Sequence, residues 1–247
     1  MPWFRKASLG LCGLLGMLEL VSAPVEWLWP YSAGGNTQWH GNVEGNLVSL
    51  TFDDGPSRHT EMILDVLKSH QVPATFFVMG VHVERSPRTV KRMALEGHEI
   101  GNHTYSFESK RGLFKLYFPL KAEQINRTQE IVKENIGTAP KYFRSPGGQM
   151  GRNLWHMVRQ NDLRVVNGTL PFPEPEEDVE RQFKTVLRTL KPGAIIILHD
   201  GDDRHPDSDR PRSTVRLLPR LLEVLKKKEY KIVSLSELLY GDKQGTG

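Results

Sequence analysis

Four short polar segments carry side chains suited to hydrolysis: Asp53-Asp54-Gly55-Pro56, His103-Thr104, Arg144-Ser145-Pro146-Gly147-Gly148 and His199-Asp200. Two neighbouring carboxylates repel when both are free, so a cation that holds one leaves the other to act as a base. A histidine with a carboxylate makes a reasonable ligand pair for zinc or a similar divalent ion, whose open positions hold water. A second histidine, outside the ligand set, can give a proton to a leaving group. Arg144 can hold the basic aspartate in place through its fixed guanidinium fork and lower its pKa by its charge. Together these residue types point to metal-assisted hydrolysis. An Asp-Asp-Gly-Pro segment alone is as often only a turn, so the joint placement of the four segments is what counts.

Each segment follows one of the short runs that read as strands. The alternation of such runs with amphipathic stretches argues for a mostly parallel sheet wrapped by helices. Strands are expected at Leu47 to Phe52, Ala74 to Val78, Glu99-Ile100, Tyr142-Phe143, Val165-Val166, Ala194 to Leu198 and Lys231 to Val233. Helices are expected from Thr60 to His70, from Pro87 to Glu96 behind the Ser86-Pro87 start signal, around Leu120 to Ile136, and from Thr214 to Lys228. The expected fold class is α/β, a distorted (β/α) barrel of about seven parallel strands. In such barrels the carboxyl ends of the strands open onto one mouth, which brings four segments far apart in sequence to one place.

The chain has 247 residues, with 33 basic against 29 acidic side chains and a net charge of +4. That length supports one well-buried core, and the scatter of its lysines and arginines argues against a nucleic-acid partner. The single cysteine, Cys12, excludes an internal disulfide framework and a thiolate metal site. Any metal therefore rests on oxygen and imidazole ligands. Arg5 and Lys6 precede an uncharged run from Ala7 to Leu18, and Val21-Ser22-Ala23 offers a small-residue cleavage site, the layout of a secretory signal peptide. The alternative is an uncleaved anchor, with membrane attachment through residues 7–29 and Trp27 and Trp29 at the interface. Glu19 inside a spanning helix would cost about 2.5–3.5 kcal/mol. The expected organisation is a leader or anchor at 1–29, a linker at 30–46, a folded domain at 47–240 and a tail at 241–247. A secreted or extracytoplasmic monomer is expected.

Leu50-Thr51-Phe52-Asp53-Asp54-Gly55-Pro56, Gly97-His98-Glu99-Ile100-Gly101-Asn102-His103-Thr104, Phe143-Arg144-Ser145-Pro146-Gly147-Gly148 and Ile197-Leu198-His199-Asp200 resemble, in this order, the motifs of the polysaccharide deacetylases. That family is also called the NodB-homology or carbohydrate esterase 4 family, and the similarity runs from about Leu47 to Leu239. The resemblance implies a metal-dependent hydrolase that removes N-acetyl groups from a chitin-like, peptidoglycan or related glycan, or sometimes O-acetyl groups from xylan. It implies Asp53 as general base, Asp54 and His103 as metal ligands, Arg144 orienting Asp53, and His199 protonating the departing amine. The backbone N–H of Gly147 would help to hold the oxyanion, a donor typically worth about 2.7–4 kcal/mol of barrier lowering. The implied cofactor is a divalent metal of the zinc class, which brings the pKa of bound water toward about 7.

The chain departs from the family pattern in three places, one of them Gly147, which stands where the third motif often has tyrosine or phenylalanine and opens the groove. The second motif usually reads His-Ser/Thr-x-x-His with both histidines on the metal, whereas here it reads His103-Thr104-Tyr105-Ser106-Phe107. Phenylalanine cannot ligate, and the candidates for the missing position are Glu108, His59, and the carboxylates Asp200, Asp202, Asp203, Asp207 and Asp209. The Asp-Trp pair often found after the fifth strand is absent, and Leu170 or Phe172 is expected to fill the acetyl pocket. Asn102-His103-Thr104 fits the glycosylation pattern but abuts the site, so modification there is not expected. Three functions follow from these features. The first is a deacetylase with an atypical metal site, the second a glycan-binding protein on the same scaffold that has lost turnover, and the third a hydrolase of another bond.

Overall fold

Simple alternation along strand β1 (Leu47–Asp53) gives the sheet two different faces. Val48, Leu50 and Phe52 point one way, Ser49, Thr51 and Asp53 the other, and all six are buried. The computed structural model describes residues 37–41, 43–106, 121–148, 152–169, 179–202 and 207–241. Phe107, Glu108, Leu170, Phe172, Asp203 and the expected leader or anchor at 1–29 lie outside the described residues.

After β1 come α1 (Arg58–His70), β2 (Thr75–Val78), α2 (Gly80–Arg85), α3 (Pro87–Leu95), β3 (Glu99–Asn102), α4 (Ala122–Ile136) and β4 (Tyr142–Phe143). They are followed by α5 (Arg152–Gln160), β5 (Arg164–Val165), α6 (Val179–Thr189), β6 (Ala194–His199), α7 (Arg212–Lys227), β7 (Lys231–Ile232) and α8 (Leu235–Tyr240). The seven strands form one parallel sheet, six of them in the order β5-β4-β3-β2-β1-β6. β7 pairs with the first half of β1, and β2 with its second half. Helix α1 begins two residues earlier than expected because Ser57 caps it. The Ser57 hydroxyl accepts from the His59 N–H, while the Thr60 hydroxyl accepts from the Ser57 N–H at 2.8 Å. This reciprocal capping box satisfies donors that a bare helix start leaves open. Helices α2, α5, α6 and α8 were not expected.

The outer face carries the larger core. Val48, Leu50, Phe52, Phe76, Ile196 and Leu198 of the sheet pack there with Ile63, Leu64 and Leu67 of α1 and Leu218, Leu221 and Leu225 of α7. Each such side chain contributes roughly 1.5–3 kcal/mol on burial. The inner face holds a smaller apolar cluster that includes Phe77, Val166 and Ile195, closed from one end by Leu235 and Leu238 of α8. The sheet does not pair β5 with β6. Residues 38–41, in the stretch expected to be linker, lie across this opening. The Gln38 N–H donates to Val165, the Asn167 N–H to Gln38, and the Gly41 N–H to Gly193. Among the described residues no helix is long and apolar enough to cross a membrane.

Candidate active site

Parallel register aligns the strand ends that carry the polar segments. Asp53 lies opposite His199 on β6 and Phe77 on β2, Phe77 opposite Gly101, and Asn102 opposite Phe143. The residues just past these positions, Asp54, His103 and Arg144, therefore emerge at one mouth. Gly101 is required here, since a Cβ would sit 2.5 Å from the Phe77 ring.

Arg144 is buried and spends its guanidinium almost wholly on this mouth. Nη1 donates to Asp53 Oδ1 at 2.7 Å and to Thr51 Oγ1 at 2.8 Å, and Nε donates to the Val166 carbonyl at 3.1 Å. The guanidinium also lies over the Phe77 ring, 4.0 Å from its centre. Burial pushes the guanidinium below its ordinary value, and the Asp53 carboxylate works against that shift. A buried ion pair is tolerable when its remaining hydrogen-bonding groups are satisfied, and here Thr51 supplies one partner. Its hydroxyl donates onward to the Ile196 carbonyl at 2.9 Å. Thr51 shares the inner face with Asp53 through the two-residue period of the strand, a signal present in the sequence but not read from it.

Asp54 and His103 meet at the same mouth. His103 Nε2 lies 3.2 Å from Asp54 Oδ1, and His199 Nε2 lies 4.0 Å from Asp54 Oδ2. Burial works to raise the Asp54 carboxyl, but the hydrogen bond from His103 and the charges of His103, His199 and Arg210 outweigh it and hold the group at about 2. Burial lowers His103, while the charge of Asp53 and the hydrogen bond to Asp54 overcome it, so the net direction is upward. Asp54 has φ 71, and Thr104, next to His103, has φ 71 as well. Both residues sit in left-handed backbone that costs a side-chain-bearing residue of order 1–3 kcal/mol. Thr104 is helped by the Asn102 carboxamide oxygen, which accepts its N–H at 2.8 Å. The Asn102 amide nitrogen is committed to Ile125 and Gln129 inside the core, so this glycosylation pattern is not available to a modifying enzyme.

The His199-Asp200 segment is tied to the first turn through its backbone. The N–H groups of Asp200 and Gly201 both donate to the Asp53 carbonyl, and Ser57 Oγ donates to the Asp200 carbonyl. Thr60 Oγ1 donates to Asp200 Oδ2 at 2.6 Å. Burial, with the charges of Asp54 and Asp53, pushes the Asp200 carboxyl up to about 7 against the Thr60 hydrogen bond. Gly55 is required below it, because a Cβ there would come 2.0 Å from Asp200 Oδ2. Gly147 has φ 61, a left-handed conformation suited to glycine, and lies exposed in a single 3-10 turn after β4.

Of the described candidates for a third ligand, His59, Asp200, Asp202 and Asp209 are engaged elsewhere, and Asp207 is exposed. His59 Nε2 is 3.4 Å from Asp209 Oδ1, and Asp209 is also held by Arg58 at 2.7 Å. Asp200 packs on Gly55 and Thr60, and Asp202 faces Arg210 at 3.6 Å. Among the described residues no group of three or more histidine, cysteine or acidic side chains could hold a metal ion. Asp54 and His103 nonetheless fit two corners of such a site. His103 Nδ1 is 2.8 Å from the Arg144 carbonyl, which can only accept, so Nδ1 carries hydrogen and Nε2 is the atom turned toward Asp54.

A family model described as polysaccharide deacetylase matches residues 40–166. The chain belongs to the polysaccharide deacetylase family. It is 32% identical over 223 residues to a peptidoglycan-N-acetylglucosamine deacetylase of Bacillus cereus, covering 90% of this chain and 77% of that one. It is 33% identical over 207 residues to a chitooligosaccharide deacetylase of Bradyrhizobium, covering 81% and 94%. A solved structure of a peptidoglycan N-acetylglucosamine deacetylase, in complex with 4-naphthalen-1-yl-N-oxidanyl-benzamide, superposes with a TM-score of 0.71 at 31% identity, covering 90% and 99%. A carbohydrate esterase 4 pseudoenzyme from Bacillus anthracis superposes with a TM-score of 0.69 at 23% identity, covering 83% and 69%, and shares the fold. The curled, half-open parallel sheet is thus the polysaccharide deacetylase fold. These deacetylases are hydrolases of carbon-nitrogen bonds other than peptide bonds and generally use a divalent metal.

Proposed function

We propose that the protein removes N-acetyl groups from a chitin-like, peptidoglycan or related polysaccharide with the help of a divalent metal, outside the cytoplasm. The observation that carries this reading is the juxtaposition of two differently held carboxylates. Asp53 is fixed by Arg144 at 2.7 Å, and Asp54 faces two imidazoles. Asp54 and His103 would hold the metal, which supplies Lewis-acid polarisation of the acetyl carbonyl and a nucleophile usable near neutral pH. Asp53, oriented by Arg144, takes the proton of the attacking water. His199, 22% exposed at the mouth, passes a proton to the departing sugar amine. The exposed Gly147 N–H is the donor for the developing oxyanion.

Acetate release from N-acetylglucosamine oligomers tests this. The expected result is release that ends with chelator and falls at least 10²-fold in Asp53→Asn. A second reading, a glycan-binding protein without turnover, is favoured by Phe107 in the usual ligand position. Glycan binding with no acetate release, even with added zinc or cobalt, would decide for that second reading.

A further inference from the structure

Strand β2 lies between β1 and β3, so its exit emerges between the loop that carries Asp54 and the loop that carries His103. The first turn of α2 fills that space. Three successive main-chain donors divide between the two loops. The Met79 N–H goes to the Gly55 carbonyl at 2.9 Å, the Gly80 N–H to Thr104 at 3.0 Å and the Val81 N–H to Tyr105 at 2.9 Å. A helix start has free N–H groups to spend in this way. The approach depends on Gly80, where a Cβ would come 2.6 Å from both Thr128 Oγ1 and the Tyr105 ring.

The next residue, His82, continues the contact with its side chain. Its ring is buried, and Nδ1 lies 2.8 Å from the Asp54 carbonyl, so Nδ1 is the donor. On its other side the same carbonyl faces Gly201, where a Cβ would come within 2.0 Å. The Asp54 peptide is thus confined between a hydrogen-bond donor and a glycine, at a residue whose φ of 71 has no conformational preference to hold it there. Without that confinement the Asp54 backbone is free to leave its left-handed conformation, and the carboxylate then loses its placement beside His103 Nε2, now 3.2 Å away.

We propose that His82 is a positioning residue for the metal site, and that it and the Met79–Val81 amides together set the spacing of Asp54 and His103. The inference rests on the reading of Asp54 as a ligand. His82 touches neither substrate nor metal and acts through the Asp54 main chain.

Zinc affinity of the full chain, measured by calorimetry at fixed pH with melting temperatures recorded alongside, separates this role from simple packing. His82→Phe keeps the ring volume and loses the donor, whereas His82→Asn loses the ring and keeps a donor near the place of Nδ1. The expected result is a zinc dissociation constant about 10–100-fold weaker in His82→Phe and within about threefold of the parent in His82→Asn. Undiminished binding in His82→Phe, or equal losses in the two variants, overturns the inference. If His82→Phe does not fold, His82→Asn decides alone, with affinity near the parent's upholding the inference and a tenfold loss overturning it. Failure of the underlying reading looks different. In that case the parent binds no zinc, or Asp54→Asn binds it as well as the parent does.

Discussion

Two arginines pair with carboxylates under opposite conditions. Arg92 on α3 reaches Asp65 at 2.6 Å and Glu96 at 3.0 Å and also pairs with Glu61, in a cluster open to water, where the Asp65 side chain is 71% exposed. Arg144 has one carboxylate, Asp53, and both side chains are under a tenth exposed. The surface cluster has more charges and less consequence, because solvent screens each pair and long side chains lose freedom to hold it. The buried pair has desolvated both its charges and therefore depends on every remaining hydrogen bond. Number of ion pairs is a poor guide to what a cluster does, and its surroundings are a better one.

The largest expected effect comes from breaking the buried pair. Arg144→Met leaves the Asp53 carboxylate unpaired in the interior and should cost about 3–5 kcal/mol in urea denaturation, together with loss of acetate release. Stability no lower than the parent's would mean that Asp53 and Arg144 are no more coupled than a surface pair.

Asp200 sharpens the contrast through pH. Its carboxyl keeps a proton up to about pH 7 in the folded chain, against an ordinary value of 3.8. Between those values the unfolded chain has lost a proton that the folded one retains, so stability falls as pH rises from about 4 to 7, by a few kcal/mol. Asp200→Asn removes this slope, which denaturation at pH 4.5 and 7.5 would reveal. Equal slopes in parent and variant would show that Asp200 is ionised throughout.

Asp54 acts in the opposite sense and more weakly. With a folded value of about 2, it stabilises the metal-free chain above pH 4 and loses that contribution as pH falls toward 2, a change of about 2 kcal/mol. Acid denaturation in chelator, parent against Asp54→Asn, measures it. The variant should be the less pH-dependent of the two in that range.

The smallest effect belongs to the surface cluster. Arg92→Ala should cost about 1 kcal/mol or less, shrinking further in high salt, with acetate release unchanged. A loss of several kcal/mol that persists in salt would place Arg92 beside Arg144 and erase the distinction between them.

The sequence made the sheet legible where burial is complete. The run Ala194 to Leu198 and the alternation in Leu47 to Phe52 each have one structural solution, and the motifs at their ends could be placed by that alone. Helix α6 carries its sign in Phe183, Val186 and Leu187, with Leu190 just past its end, spaced at i, i+3, i+4 and i+7. Helix α2 left almost none. It is six residues long, opens with a glycine, and is held by main-chain bonds to loops about 25 residues away on either side in sequence. For the same reason Asp53, Asp54, His103 and Arg144 could be assembled from residue types, while His82 could not. Its importance lies in a contact with a carbonyl, which every residue possesses.

The ties across the mouth run largely through peptide groups: Asp200 and Gly201 to Asp53, Met79 to Gly55, Gly80 to Thr104 and Arg144 to Asn102. A frame of that kind is indifferent to which side chains it displays, provided that its few glycines stay. Descent can therefore exchange a reactive group at the rim without first dismantling the architecture. The same construction that keeps a chemistry in register lets a lineage abandon or replace it in a single step.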